Sequence, residues 1–133
     1  MRKILAIGLI AFAISCAVTS CKNTLDSSTG QTDIVFPSSG VSYFGQVQPL
    51  FDLKCNSVGC HNSTDLAGGL DLSSYFTLIS YPGAVIAKDT VHSVLIQRVT
   101  GIGGIMPPTP IPTLNQNQIH GLKVWISEGA KYN

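Results

Sequence analysis

The spacing of polar and apolar positions changes character along the chain. Residues 4–18 are almost wholly apolar, interrupted by Gly8, Ser15 and Cys16, and they follow the basic pair Arg2-Lys3. A run of about 15 residues is short for a bilayer-spanning helix, which needs about 20. With its basic flank it reads as a signal-peptide core. From Lys22 to about Gly40 the chain turns polar, rich in Ser, Thr, Gly, Asn and Asp, with Ile34-Val35-Phe36 as an apolar island before Pro37. That composition predicts a flexible tether. From Val41 onward short helical patterns alternate with turn signals and no stretch sustains period-two alternation, so residues 41–133 are expected to form an all-α domain.

Individual elements follow from the same pattern. A first helix is expected to include Pro49 to Lys54, because proline is tolerated in a first turn and Val47, Leu50, Phe51 and Cys55 share one face. A short apolar helix through Tyr75, Phe76, Leu78 and Ile79 should stop at Pro82-Gly83. Asp89 is the expected N-cap of a helix from Thr90 to about Val99 that buries Val91, Val94, Leu95 and Val99, with Gly101, Gly103 and Gly104 ending it. In the last helix Asn115 is the N-cap, Gln118 completes a capping box, and Leu114 with Ile119 forms a hydrophobic staple. Its core face is Ile119, Leu122, Trp125 and Ile126, and Gly129 ends it.

Length and composition narrow the class. A chain of 133 residues holds one domain once a leader and a tether are subtracted. With 44% hydrophobic and 11% charged residues, a packed globule is expected rather than a disordered chain. The junction Val18-Thr19-Ser20-Cys21 looks like a bacterial lipobox, with Ala13-Ile14-Ser15-Cys16 as the competing junction and an uncleaved anchor as a further alternative. The expected organisation is therefore a leader over 1–20, a lipidated Cys21, a tether over 21–40 and a domain over 41–133. Such a protein would sit in the cell envelope, held to a membrane by its lipid on the periplasmic or outer-membrane side. Beyond Cys21 there are six bases and seven acids, a formal charge of −1. No clustered positive charge marks a nucleic-acid partner.

Once Cys16 and Cys21 are assigned to the leader and the anchor, Cys55 and Cys60 are the two thiols left in the body, and they are read as a pair. Cys55-Asn56-Ser57-Val58-Gly59-Cys60-His61 is C-x4-C-H, a widened form of the C-x-x-C-H motif that attaches c-type haem. Two thiols can add to the haem vinyl groups while the adjacent imidazole ligates iron. The two extra residues can bulge outward, and Gly59 permits the positive φ such a bulge needs. A local disulfide and a zinc site completed by His92 or His120 are the competing readings. Met106, in Ile105-Met106-Pro107-Pro108, is the one methionine left after leader removal. A thioether is a known axial haem ligand, and the following prolines stiffen the loop that would present it; a gap-filling core residue is the alternative. His92 is an alternative sixth ligand. His120 falls on the polar face of the last helix, and Arg98 is either a surface residue or a partner for a haem propionate.

Several segments together resemble a family. Val47-Gln48-Pro49-Leu50-Phe51, Gly69-Leu70-Asp71-Leu72-Ser73-Ser74-Tyr75, Arg98-Val99-Thr100-Gly101, Met106-Pro107-Pro108 and the stretch from Ile119 to Ala130 with Trp125-Ile126 are similar to bacterial class I type cytochrome c domains, most of all to a Planctomycetes and Bacteroidetes group. The resemblance spans about residues 43–131. It implies a small helical domain around one covalent haem c, with Cys55 and Cys60 as thioether sites, His61 as proximal ligand and Met106 as distal ligand. It further implies terminal helices crossing beside the haem, with Phe51 packed there against Trp125. Two positions depart from the family: Val47 stands where a glycine is common, and no proline lies between His61 and Pro82 to orient the imidazole. The function so implied is transfer of single electrons to a redox partner protein, with no catalysis. A haem peroxidase-like enzyme and a disulfide-bonded, non-haem binding lipoprotein are the alternatives.

Overall fold

A computed structural model describes residues 33–133. The expected leader over 1–20, its Cys16 and Cys21 junctions and the first part of the tether lie outside the described residues. Within them the fold is all-α. Four helices, α1 (Gln48–Lys54), α2 (Tyr75–Ser80), α3 (Val94–Val99) and α4 (Gln116–Ser127), are joined by turns, with a π-helical turn at Tyr43–Val47 leading into α1 and a 3-10 turn at Ala67–Gly69. Among the described residues strand pairing is limited to an isolated bridge between Ile86 and Asp89. None of the described helices is long and apolar enough to cross a membrane.

Helix α4 is where local sequence decides most. Asn115 Oδ1 accepts the Gln118 amide at 2.9 Å and Gln118 Oε1 accepts the Asn115 amide at 3.0 Å, the expected capping box. Leu122, Trp125 and Ile126 are buried and Ile119 is half-buried, while His120 and Lys123 are exposed. Helix α3 packs against this helix. The core extends from there through Tyr43, Val47, Leu50 and Phe51 to Leu72 and Leu78. Burial of each such side chain stabilises the fold by roughly 1.5–3 kcal/mol.

The structure corrects three expectations. Helix α3 starts at Val94 rather than Thr90. Asp89 does cap a turn, accepting the Val91 and His92 amides at 3.0 and 2.9 Å. Its backbone carbonyl, however, takes the hydroxyl of fully buried Ser93 at 2.6 Å, and that hydroxyl also accepts the Ile86 amide at 2.8 Å. The carbonyl that would open a helix is thereby held in a turn, and Val91 and Val94 are exposed instead of buried.

The second correction concerns the tether, because residues 33–40 belong to the packed domain. Phe36 is buried, its amide donates to Asn117 Oδ1 at 2.8 Å, and its ring lies so close to Gly121 that a β-carbon there would sit 2.1 Å from Phe36 Cγ. Asp33 accepts from Gln118 Nε2 at 2.6 Å and Asn115 Nδ2 at 2.9 Å.

Third, the aromatic neighbour of Trp125 is Tyr43, at 5.7 Å between ring centroids, rather than Phe51. Tyr43, in the π-helical turn before α1, thus supplies a further contact to α4. The C-terminus locks that turn: Asn133 accepts the Tyr43 and Phe44 amides, both at 3.0 Å.

Candidate functional site

Helix α1 delivers the C-x4-C-H segment. The Cys55 and Asn56 amides both donate to Phe51 O, at 2.7 and 2.9 Å, closing the last turn. The chain then loops out and returns, with the Cys60 amide on Ser57 O and the His61 amide on Cys55 O, each at 3.0 Å. Gly59 holds φ +79°, the left-handed conformation expected of the widened spacing. Two bonds anchor the segment after the loop, from Ala67 N to Cys60 O at 3.1 Å and from Leu72 N to His61 O at 2.8 Å.

Two polar residues that sequence reasoning overlooked hold the loop in place. Asp65 Oδ2 accepts the Gly59 amide and Asn62 Nδ2, both at 2.7 Å, and Asn62 Nδ2 also reaches Ser57 O at 2.9 Å. The bonds from Asn62 and Gly59 hold the Asp65 carboxyl below the usual carboxylate range. The signal was the polar run Asn62-Ser63-Thr64-Asp65, in which Asn62 Oδ1 accepts the Thr64 and Asp65 amides at 2.9 Å, a side-chain-built turn.

Met106 arrives from the other side. Its amide donates to Arg98 O at 3.0 Å, so the C-terminal end of α3 fixes where the methionine loop begins. A β-carbon on Gly103 would lie 2.8 Å from Arg98 Nη1, so the guanidinium packs directly on the glycine-rich stretch before Met106. Pro107 is buried and Met106 is partly exposed.

These elements enclose a cavity of about 320 Å³. Cys55, His61 and Met106 all line it, within an apolar wall that includes Leu72, Leu78, Leu95 and Val99, and Arg98 is the one cationic side chain on it. Cys60 is half-buried, its thiol 3.8 Å from Val58 O, and is not part of that wall. Among the described residues both cysteines are free thiols. Burial pushes the Cys55 thiol up to about 12, reinforced by Cys60 nearby, so it stays neutral. His61 Nδ1 is buried and, among the described residues, has no hydrogen-bond partner. Leaving such an atom unpaired costs about 1–3 kcal/mol. His92 is exposed and bonded to Asp89 at 2.7 Å, and His120 is exposed; neither lines the cavity. Among the described residues no three His, Cys, Asp or Glu side chains gather as a metal cluster, so the zinc arrangement is not assembled.

A haem needs an apolar slot, one nitrogen and one sulfur or second nitrogen donor, and, for covalent attachment, thiols at its edge. The wall, the His61 imidazole, the Met106 thioether and the Cys55 thiol fit that donor set, and the unpaired His61 Nδ1 fits a ring used at its other nitrogen.

A family model described as Planctomycete cytochrome C matches residues 58–110. The matched stretch contains Cys60, His61 and Met106 and starts after Cys55. It covers less than half of the chain and supports a cytochrome c-like domain. No curated protein and no solved structure matches the chain.

Proposed function

We propose that this chain is a monohaem c-type cytochrome that carries single electrons in the bacterial cell envelope and catalyses no reaction of its own. The observation that carries this reading is the convergence of Cys55 and His61 with Met106, 45 residues beyond His61, on one apolar cavity within a chain similar to Planctomycete cytochrome C. When bound, a haem there supplies a one-electron Fe(III)/Fe(II) couple. Cys55 and Cys60 would hold it covalently; Cys55 lines the cavity, and Cys60 does not. His61 and Met106 would ligate its iron. The apolar wall would reduce the water around that haem, which limits solvent reorganisation when the charge changes. Arg98, cationic on the cavity, offers a partner for a propionate.

Anchoring rests on the sequence: Cys21 follows a lipobox-like junction, and a lipid there would tether the domain to a membrane near its redox partner protein. Cys21→Ser should abolish acylation, read by intact mass of the membrane fraction.

The electron-carrier reading is tested by a reductive titration of protein made with a c-type maturation system. A reversible one-electron transition with low-spin spectra in both states, and slow carbon monoxide binding by the ferrous form, is expected. Rapid carbon monoxide binding with peroxide turnover would instead favour an enzyme.

A further inference from the structure

We infer that Asn56 is the positioning residue for His61, its side-chain carbonyl accepting the proton of His61 Nδ1; this rests on the haem reading above. Among the described residues that are not exposed, two buried side-chain polar atoms have no hydrogen-bond partner, and they are Asn56 Oδ1 and His61 Nδ1. Their chemistry is complementary. The Asn56 amide is oriented without ambiguity, because its Nδ2 donates to Asp52 Oδ1 at 2.8 Å, where a carboxylate can only accept, and to Leu72 O at 3.2 Å. That leaves Oδ1 as an acceptor. An imidazole that ligates through Nε2 carries its proton on Nδ1 and is a donor there.

The backbone brings the two residues together. Asn56 follows the Cys55 carbonyl that accepts the His61 amide at 3.0 Å, so the two α-carbons are no more than about 7 Å apart. Both also flank Leu72, whose carbonyl takes the Asn56 side chain and whose amide donates to His61 O at 2.8 Å. The bond requires the imidazole to turn about χ2, a broad torsion, when its other nitrogen is ligated. Ligating histidines nearly always donate their second N–H to a fixed acceptor, which sets the tautomer and raises ligand basicity. With no proline between His61 and Pro82, Asn56 meets that need from inside the widened C-x4-C spacing itself.

The test is NMR of the ferrous, haem-loaded protein with labelled histidine, combined with potentiometry. In wild type the His61 Nδ1 proton should be observable, exchange slowly and show an Overhauser contact to the Asn56 side chain. Asn56→Leu should speed that exchange by about tenfold, as expected for loss of one buried hydrogen bond, and shift the reduction potential upward. Asp52→Asn, whose side-chain oxygen can still accept from Asn56 Nδ2, should leave that exchange slow. A wild-type Nδ1 proton in contact with another acceptor, or an Asn56→Leu protein with unchanged exchange and potential, would overturn the assignment while leaving the haem reading intact. If Asn56→Leu fails to fold, the wild-type contact decides. A wild-type protein that takes up no haem would overturn both readings.

Discussion

Two regions of the molecule, the aromatic cluster and the cavity, are built on opposite terms. In the aromatic cluster Tyr43 meets Tyr75 edge-on at 5.1 Å and Trp125 at 5.7 Å. Its polar tips are bonded: Trp125 Nε1 donates to Lys131 O at 3.0 Å and the Tyr75 hydroxyl to Ala130 O at 2.9 Å. Around the cavity, among the described residues, an imidazole nitrogen is buried without a partner, two thiols are unpaired, and Met106 stands partly exposed on a glycine-rich loop. The first region satisfies its polar tips around the buried Tyr43 and Trp125, so it carries stability. The second accepts local costs to present sulfur and nitrogen to one cavity, the usual sign of a site rather than a core.

Substitutions should separate these two roles. The largest stability loss is expected from Trp125→Ala, at about 3–5 kcal/mol, read by denaturant unfolding of the full chain. Gly121→Ala should follow, at about 1–3 kcal/mol, because its methyl would collide with the Phe36 ring; a stability equal to wild type would show that residues 33–40 contribute little packing. Met106→Ala should cost less than either in stability, since the side chain is partly exposed. Its effect should fall on the loaded protein, with a lower reduction potential and fast carbon monoxide binding. Unchanged spectra would remove Met106 from the ligand set.

The smallest effect concerns the loop bonds to Asp65. Its carboxyl is held below the ordinary value of 3.8, so its contribution is complete above that pH and is lost as pH falls through the lower folded value. The gap in thermal stability between wild type and Asp65→Ala should therefore be present near neutral pH and close in acid. A gap independent of pH would mean that the Gly59 and Asn62 bonds to this carboxylate do not matter.

What the sequence made legible was mostly local. The capping box of α4 lies within four residues, and its grammar needs no tertiary knowledge. The start of α3 was not legible, because it depends on the Ser93 hydroxyl occupying the Asp89 carbonyl. Nor was the packing of Phe36, which needs the bare face of Gly121 some 85 residues away in sequence. At the site, residue types and spacing singled out Cys55, Cys60, His61 and Met106, and the structure sets three of them on one cavity. Asn62, Asp65 and Asn56 act through hydrogen-bond geometry that a pattern of residue types does not encode.

On the proposed function, the thiols of the C-x4-C-H loop hold a haem covalently. The most direct measurement is the intact mass of the denatured protein after acidified organic extraction, for wild type, Cys55→Ser, Cys60→Ser and the double variant. One haem mass should be retained by wild type, less by each single variant and none by the double variant. Wild-type protein that releases all its haem into the organic phase, or that purifies with Cys55 and Cys60 joined in a disulfide and no haem at all, would contradict it.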